Sequence, residues 1–157
     1  MRKQLYLDIK DKLKTIQDTD GNPFFKHFDL WNQQVEYLDT FAAPAVFIEF
    51  MPMQWHTLGG RMQNTQLTVR LHIVTEWHGQ SADNSPAEER ALEFLDIIDR
   101  ITATMMRFST PYMTLWIRSQ SITNHNHEHY VDNVEEYTCT LRDTTTDHLN
   151  MPTQVYS

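Results

Sequence analysis

The sequence predicts an α+β domain in the order helix, three strands, helix, two strands, with a mostly antiparallel sheet carrying both helices on one face. Three observations predict it. Apolar residues recur at helical spacing near the N-terminus and again over 91–108. They alternate with polar residues at a period of two over 66–73. The strand-like runs are sequence neighbours joined by short or hairpin-like links, which favours antiparallel pairing.

Leu5, Ile9, Leu13 and Ile16 form one stripe of the first helix, with Lys10, Asp11, Lys12 and Lys14 around it. The turn residues Asp18, Thr19, Asp20, Gly21, Asn22 and Pro23 stop it. A short strand over 26–31 follows, with Phe28 and Leu30 on one face. After a polar connection, the run from Ala45 to Phe50 reads as a second strand, with Val46, Ile48 and Phe50 opposite Phe47 and Glu49. A long hairpin tip over 51–64 then leads to the clearest strand, where Leu67, Val69, Leu71 and Ile73 alternate with Gln66, Thr68, Arg70 and His72.

Ser85, Pro86 and Glu88 match a capping box opening the long helix. Its expected stripe is Ala91, Phe94, Leu95, Ile98, Ile101, Thr102, Met105 and Phe108. Met113, Leu115 and Ile117 alternate with Thr114, Trp116 and Arg118 as a fourth strand. A fifth runs from about Tyr130 to Leu141, where Tyr137, Cys139 and Leu141 share a face. The expected division is a single domain over 1–143 and a flexible tail over 144–157. The sheet face away from the helices is expected to carry Thr68, Arg70, His72, Trp116 and Arg118.

Composition excludes several classes of function. A net charge of −8 disfavours a general duplex-DNA binder, which needs cations to displace counterions. Five of the 13 basic residues fall in the first 14 positions, namely Arg2, Lys3, Lys10, Lys12 and Lys14. With four glycines, at 21, 59, 60 and 79, no glycine-rich phosphate loop is available. A lone Cys139 suits a reducing compartment and allows neither an intrachain disulfide nor a cysteine-rich zinc knuckle. No apolar run approaches the length of a membrane span, so no membrane partner is expected.

The one histidine cluster is His125, His127 and His129, followed by Asp132. Alternate residues of an extended segment point the same way, and imidazole nitrogen is a zinc ligand. Residues four apart in such a segment lie about 13 Å apart, too far for one ion without a sharp bend. A solvated loop is therefore favoured, and no metal or cofactor is expected. The carboxylate pairs Glu89 with Glu93 and Asp96 with Asp99 lie on or beside the polar helix face, with nothing to split their pKa values. Neither G-x-S-x-G nor H-E-x-x-H occurs, and Glu49 has no lysine two residues on. No catalytic residue is identified, and the chain is read as a non-enzyme. Trp31, Trp55, Trp77 and Trp116 sit at or near strand ends and loops, where Trp and Arg often anchor partners. The contact candidates are Trp55, His56, Arg61, Arg70 and Trp116.

The stretches Phe28-Asp29-Leu30-Trp31-Asn32-Gln33-Gln34 and Pro44-Ala45-Val46-Phe47-Ile48-Glu49-Phe50, with the element order, resemble the tail-terminator and tail-completion (neck) proteins of long-tailed phages. The resemblance spans about residues 1–143 and rests on structural strings without encoded chemistry. It implies a virion structural protein forming a homo-oligomeric ring, typically a hexamer, that caps the tail tube and serves head–tail joining. Its partners would be other copies of itself, the tail tube and head-completion proteins, with DNA only passing through the channel. It would reside in the bacterial host cytoplasm during assembly, then in the neck of the virion. The alternatives are a small metal-dependent enzyme using the 125–129 region, or a generic binding or accessory module.

Overall fold

The computed structural model describes residues 1–35, 40–76, 82–124, 129–143 and 145. Helix α1 (Arg2–Leu13) precedes four strands, β1 (His27–Leu30), β2 (Ala45–Phe50), β3 (His56–Gly59) and β4 (Met62–Glu76). Helix α2 (Glu88–Met106) and two strands, β5 (Ile117–Asn124) and β6 (Tyr130–Asp143), follow. The α+β class and the mostly antiparallel sheet match the expectation. The strand count does not. The segment expected as a bare hairpin tip contains β3, which turns back at Gly59 and Gly60, both at positive φ, to pair with the start of β4.

The sheet runs β1-β2-β4-β6-β5, with β3 pairing β4 off that path. Among the described strands, β1 and β2 alone are parallel, in register from His27↔Ala45 to Leu30↔Ile48. At the centre, β4 and β6 pair continuously from Gln63↔Asp143 to Glu76↔Tyr130. Leu67, Val69, Leu71 and Ile73 of β4 meet Leu5, Ile9 and Leu13 of α1 and Ile97, Ile101 and Met105 of α2 in one core. Tyr137, Cys139 and Leu141 join them, so both helices cover the same sheet face. The Asp18 carboxylate accepts the backbone N–H groups of Asp20 and Asn22, each at 2.9 Å, and forms the turn expected after α1.

Three sequence expectations are corrected. Helix α2 starts at Glu88 with Ala87 as its N-cap and no side-chain cap bond, so Ser85 is not the N-cap. The Glu88 carboxylate instead accepts the Asn84 N–H at 2.8 Å. The buried stripe of α2 passes through Ile97, while Leu95 is 60% exposed. The N-terminal half of α2 leaves a cavity of about 590 Å³ between itself and the sheet, lined by Ala91, Phe94, Pro44 and Val131 among others. The expected strand at 113–118 is mostly loop: Met113 and Trp116 enter the core, Leu115 stays exposed, and β5 begins at Ile117. The expected tail lies outside the described residues except for Thr145.

Truncating Ile101, which is fully buried, to alanine is expected to cost about 2–5 kcal/mol through the cavity it leaves. Leu95→Ala should stay within about 0.5 kcal/mol, as exposed positions do. Urea melts of the two variants check this, and equal losses would place Leu95 in the core.

Burial pushes the Cys139 thiol from its ordinary 9.0 up to about 12. Burial likewise leads among the causes that raise Tyr137 from 10.0 to about 12. The folded chain thus holds more protons than the unfolded chain between the ordinary and raised values, and stability falls as pH rises through that window. Stability is expected to be intact below pH 9 and to decline towards pH 12. Denaturant midpoints measured across this range should drop, with Cys139→Ala delaying the onset until the tyrosines of the unfolded chain begin to titrate near 10, since Tyr112 and Tyr137 are both raised to about 12 in the fold. An onset unchanged by Cys139→Ala would contradict the assignment.

Candidate functional site

On β4, residues 67 to 73 point alternately under the helices and to the opposite face. The opposite face takes Thr68, Arg70 and His72 from β4, Phe47 and Glu49 from β2, and Asp132, Val134 and Glu136 from β6. One part of it is apolar. Val35, Ala45, Phe47 and Val74 form a second buried cluster, with Trp31, Phe41 and Tyr130 packed against it. Segment 31–35 folds over this patch because Gln34 accepts the Asn32 N–H at 2.7 Å and donates to the Leu30 carbonyl at 2.7 Å.

Beside that patch is a network of ionisable side chains. Nε2 of His72 lies 3.0 Å from Glu49 Oε2, and Nδ1 lies 3.2 Å from Asp132 Oδ2. The Trp31 ring stacks flat on the imidazole, with centroids 3.7 Å apart and planes 3° from parallel. Arg70 donates from Nε to Glu136 Oε2 at 3.0 Å, and its Nη1 stands 4.0 Å from Glu49 Oε2. Ser119 Oγ donates to the second oxygen of Glu136 at 2.9 Å. The His72 and Asp132 side chains are only 8% and 3% exposed, so this pair is largely removed from water. Asp132 Oδ1 is buried with no hydrogen-bond partner among the described residues.

This geometry favours rigidity over turnover. A general base needs a ring nitrogen within reach of a substrate proton. Here a carboxylate occupies each nitrogen, and an indole covers one ring face. Ser119 bonds Glu136 rather than the imidazole, so the hydroxyl and the histidine do not form a nucleophile–base pair. The network ties β2, β4 and β6 together across the exposed side of the sheet.

The sequence candidates separate on this frame. Arg70 lies on the predicted face, but both of its neighbouring carboxylates come from its own chain. Trp116 is corrected: it is 1% exposed, in the core beneath the helices, where no partner can reach it. The strand begins at Ile117 rather than at Met113, and the loop before it, which includes Trp116, turns the indole inward. Trp55 is half-buried against the main core, whereas His56 and Arg61 are exposed at the β3–β4 hairpin. His129 is exposed, while His125, His127 and Trp77 lie outside the described residues. The sequence reading had Arg70 and His72 but missed Glu49, Asp132 and Trp31 as their partners. The β4 alternation pointed to the face, and only the strand register supplies the partners. No family model and no curated protein matches the chain.

Removing one member of a buried hydrogen-bonded pair leaves its partner unsatisfied, at a typical cost of about 1–3 kcal/mol. His72→Leu is expected to lose that order of stability, and His72→Leu/Asp132→Leu to recover most of it. Chemical denaturation of the two variants gives the comparison. A double variant as unstable as the sum of its singles would show that the network is not coupled.

Proposed function

We propose that the chain is a phage or prophage structural subunit that closes into a ring, caps the tail tube and joins it to the head connector. The observation that carries this reading is the edge of the sheet at β5. All of its residues but the last are exposed, among them Ile117 and Ile122, and Arg118 is its only charge. An edge strand presents a row of unpaired backbone donors and acceptors, which monomeric proteins blunt with charge, proline or brevity. Strand β5 has eight residues and no proline, and beyond Arg118 and the bulge that follows it the run from Gln120 to Asn124 has no charge, which leaves that run open to a partner.

The opposite edge of the sheet is unlike it. Strand β1 has four residues, pairs in parallel with β2 and exposes Leu30. Two unlike edges on one subunit suit a heterologous contact, which closes into a ring when the rotation between copies divides a full turn. The number of copies, six, comes from the resemblance to tail terminators. The net charge of −8 suits a channel through which DNA slides without adhering. Within the ring the buried ion network would stiffen each subunit, and no chemistry is required of it. Among the described residues no helix is long and apolar enough to cross a membrane, in keeping with assembly in the host cytoplasm.

The purified chain is expected to sediment as a closed ring, alone at high concentration or once tail tubes of the cognate phage are added. Electron micrographs should show it at one end of each tube, with tube growth arrested. A chain that stays monomeric under both conditions and leaves tubes growing would sink the proposal.

A further inference from the structure

The two edges of the subunit differ in charge as well as in length. Over Arg2 to Lys14 there are five basic residues against two acidic, a net +3, whereas α2 has five acidic against two basic, a net −3. Placing these charges on the helix surfaces shows where each set faces. In α1, Leu5, Ile9 and Leu13 point to the sheet. Asp8, which accepts from the Tyr112 hydroxyl, and Lys12, over the Phe108 ring, lie on the flank towards the end of α2, so Tyr6 lies on the other flank, towards β1. Lys10 sits over the Tyr6 ring at 5.4 Å. At helical pitch Lys3 and Lys14 fall within about 80° of Tyr6 on the same flank. Against the Asp29 carboxylate of β1, whose side chain is 54% exposed, the three lysines leave this edge net basic, with the exposed Leu30 below them.

The β5 edge has the opposite sign. Arg118 of β5 donates to Thr102 of α2 at 3.1 Å, which fixes the flank of α2 that faces β5. Glu88, Leu92, Leu95, Asp99 and Met106 all fall within about 80° of Thr102 on that flank. Leu92 is 57% exposed and Leu95 60%. Ile117 and Ile122 of β5 are exposed too but, opposite Thr138 and Val134, they lie on the other face of the same edge. The guanidinium of Arg118 also stands 3.7 Å from Glu135, so its charge is offset within the subunit.

We propose, resting on the ring reading above, that the partner of the α2/β5 edge is the α1/β1 edge of a second copy of this chain. Leu92 and Leu95 on the helix side of the edge, and Ile117 and Ile122 on its other side, form the apolar part of the contact. Lys3, Lys10 and Lys14 of one copy face Glu88 and Asp99 of the next. A two-fold dimer through either edge would set lysines against lysines or carboxylates against carboxylates, which is repulsive. Opposite charges at opposite ends of one sheet are matched by head-to-tail assembly, the arrangement that a ring requires.

The test is sedimentation of the full chain at low and near-physiological salt, with melting curves to verify folding of each variant. Lys3→Glu/Lys10→Glu/Lys14→Glu is expected to weaken association about tenfold or more, as is Glu88→Lys/Asp99→Lys. The chain carrying all five changes should associate like the wild type, because both edges are then reversed together. Leu95→Asp should abolish association without lowering the melting temperature. A wild type that associates while both reversals leave it unaffected removes this contact and keeps the ring reading. Failure of the five-change chain to regain association, with its fold intact, also overturns the pairing. A wild type that never associates, free or on tube ends, removes the ring reading and this contact with it.

Discussion

The β4–β6 ladder is the constraint from which the rest of the fold follows. Every residue of β6 has a partner on β4, and side chains alternate between faces with a strict period of two. Leu67, Val69, Leu71 and Ile73 go under the helices together, and Arg70 and His72 go the other way. A slip of one residue would carry Arg70 and His72 beneath α1 and α2 and turn Leu67, Val69, Leu71 and Ile73 out of the core. The ion network strengthens that choice of register. Arg70 meets Glu136 directly across the ladder, and His72 meets Asp132 two residues from its own partner, Val134. These contacts form in one alignment only. Their value lies in specifying the sheet more than in net stability, since desolvation offsets much of the attraction between buried ions.

Elements governed by local periodicity were legible in the sequence. Helix α1, strand β2, the centre of β4 and the Tyr137–Leu141 face of β6 each bury residues at the spacing that predicts them. Strand β5 was not legible, and the reason is physical. It is exposed along its length, so no burial pattern is imposed on it, and a bulge between Arg118 and Gln120 breaks what alternation it has. The preceding loop misleads in the opposite sense. Met113, Leu115 and Ile117 alternate as a strand would, yet Met113 and Trp116, three apart, are the residues that pack inward. The parallel pairing of β1 with β2 leaves no local signature either, because direction is decided by the connection between them. For the site, alternation on β4 placed Arg70 and His72 correctly. Glu49, Asp132 and Trp31 belong to three other segments, and only the tertiary fold brings them to the imidazole.

The same sheet gives the subunit its asymmetry. Successive strands twist in one sense, so the two outer edges of a five-strand path are neither parallel nor alike. Here they also differ in length and charge: a short basic edge at β1 under α1, and a long, apolar and acidic edge at β5 under α2. A subunit with two equivalent edges would pair as a two-fold dimer and stop. One with unlike, complementary edges adds the next copy at a fixed rotation, and the rigidity of the sheet decides whether the series closes. A sheet free to flex would allow variable rotations and open chains. The network on the face away from the helices resists that flexing, because it links β2, β4 and β6 through side-chain hydrogen bonds that bending would stretch. In the proposed ring, the ionisable residues that invite a catalytic reading act instead on the angle between neighbouring subunits.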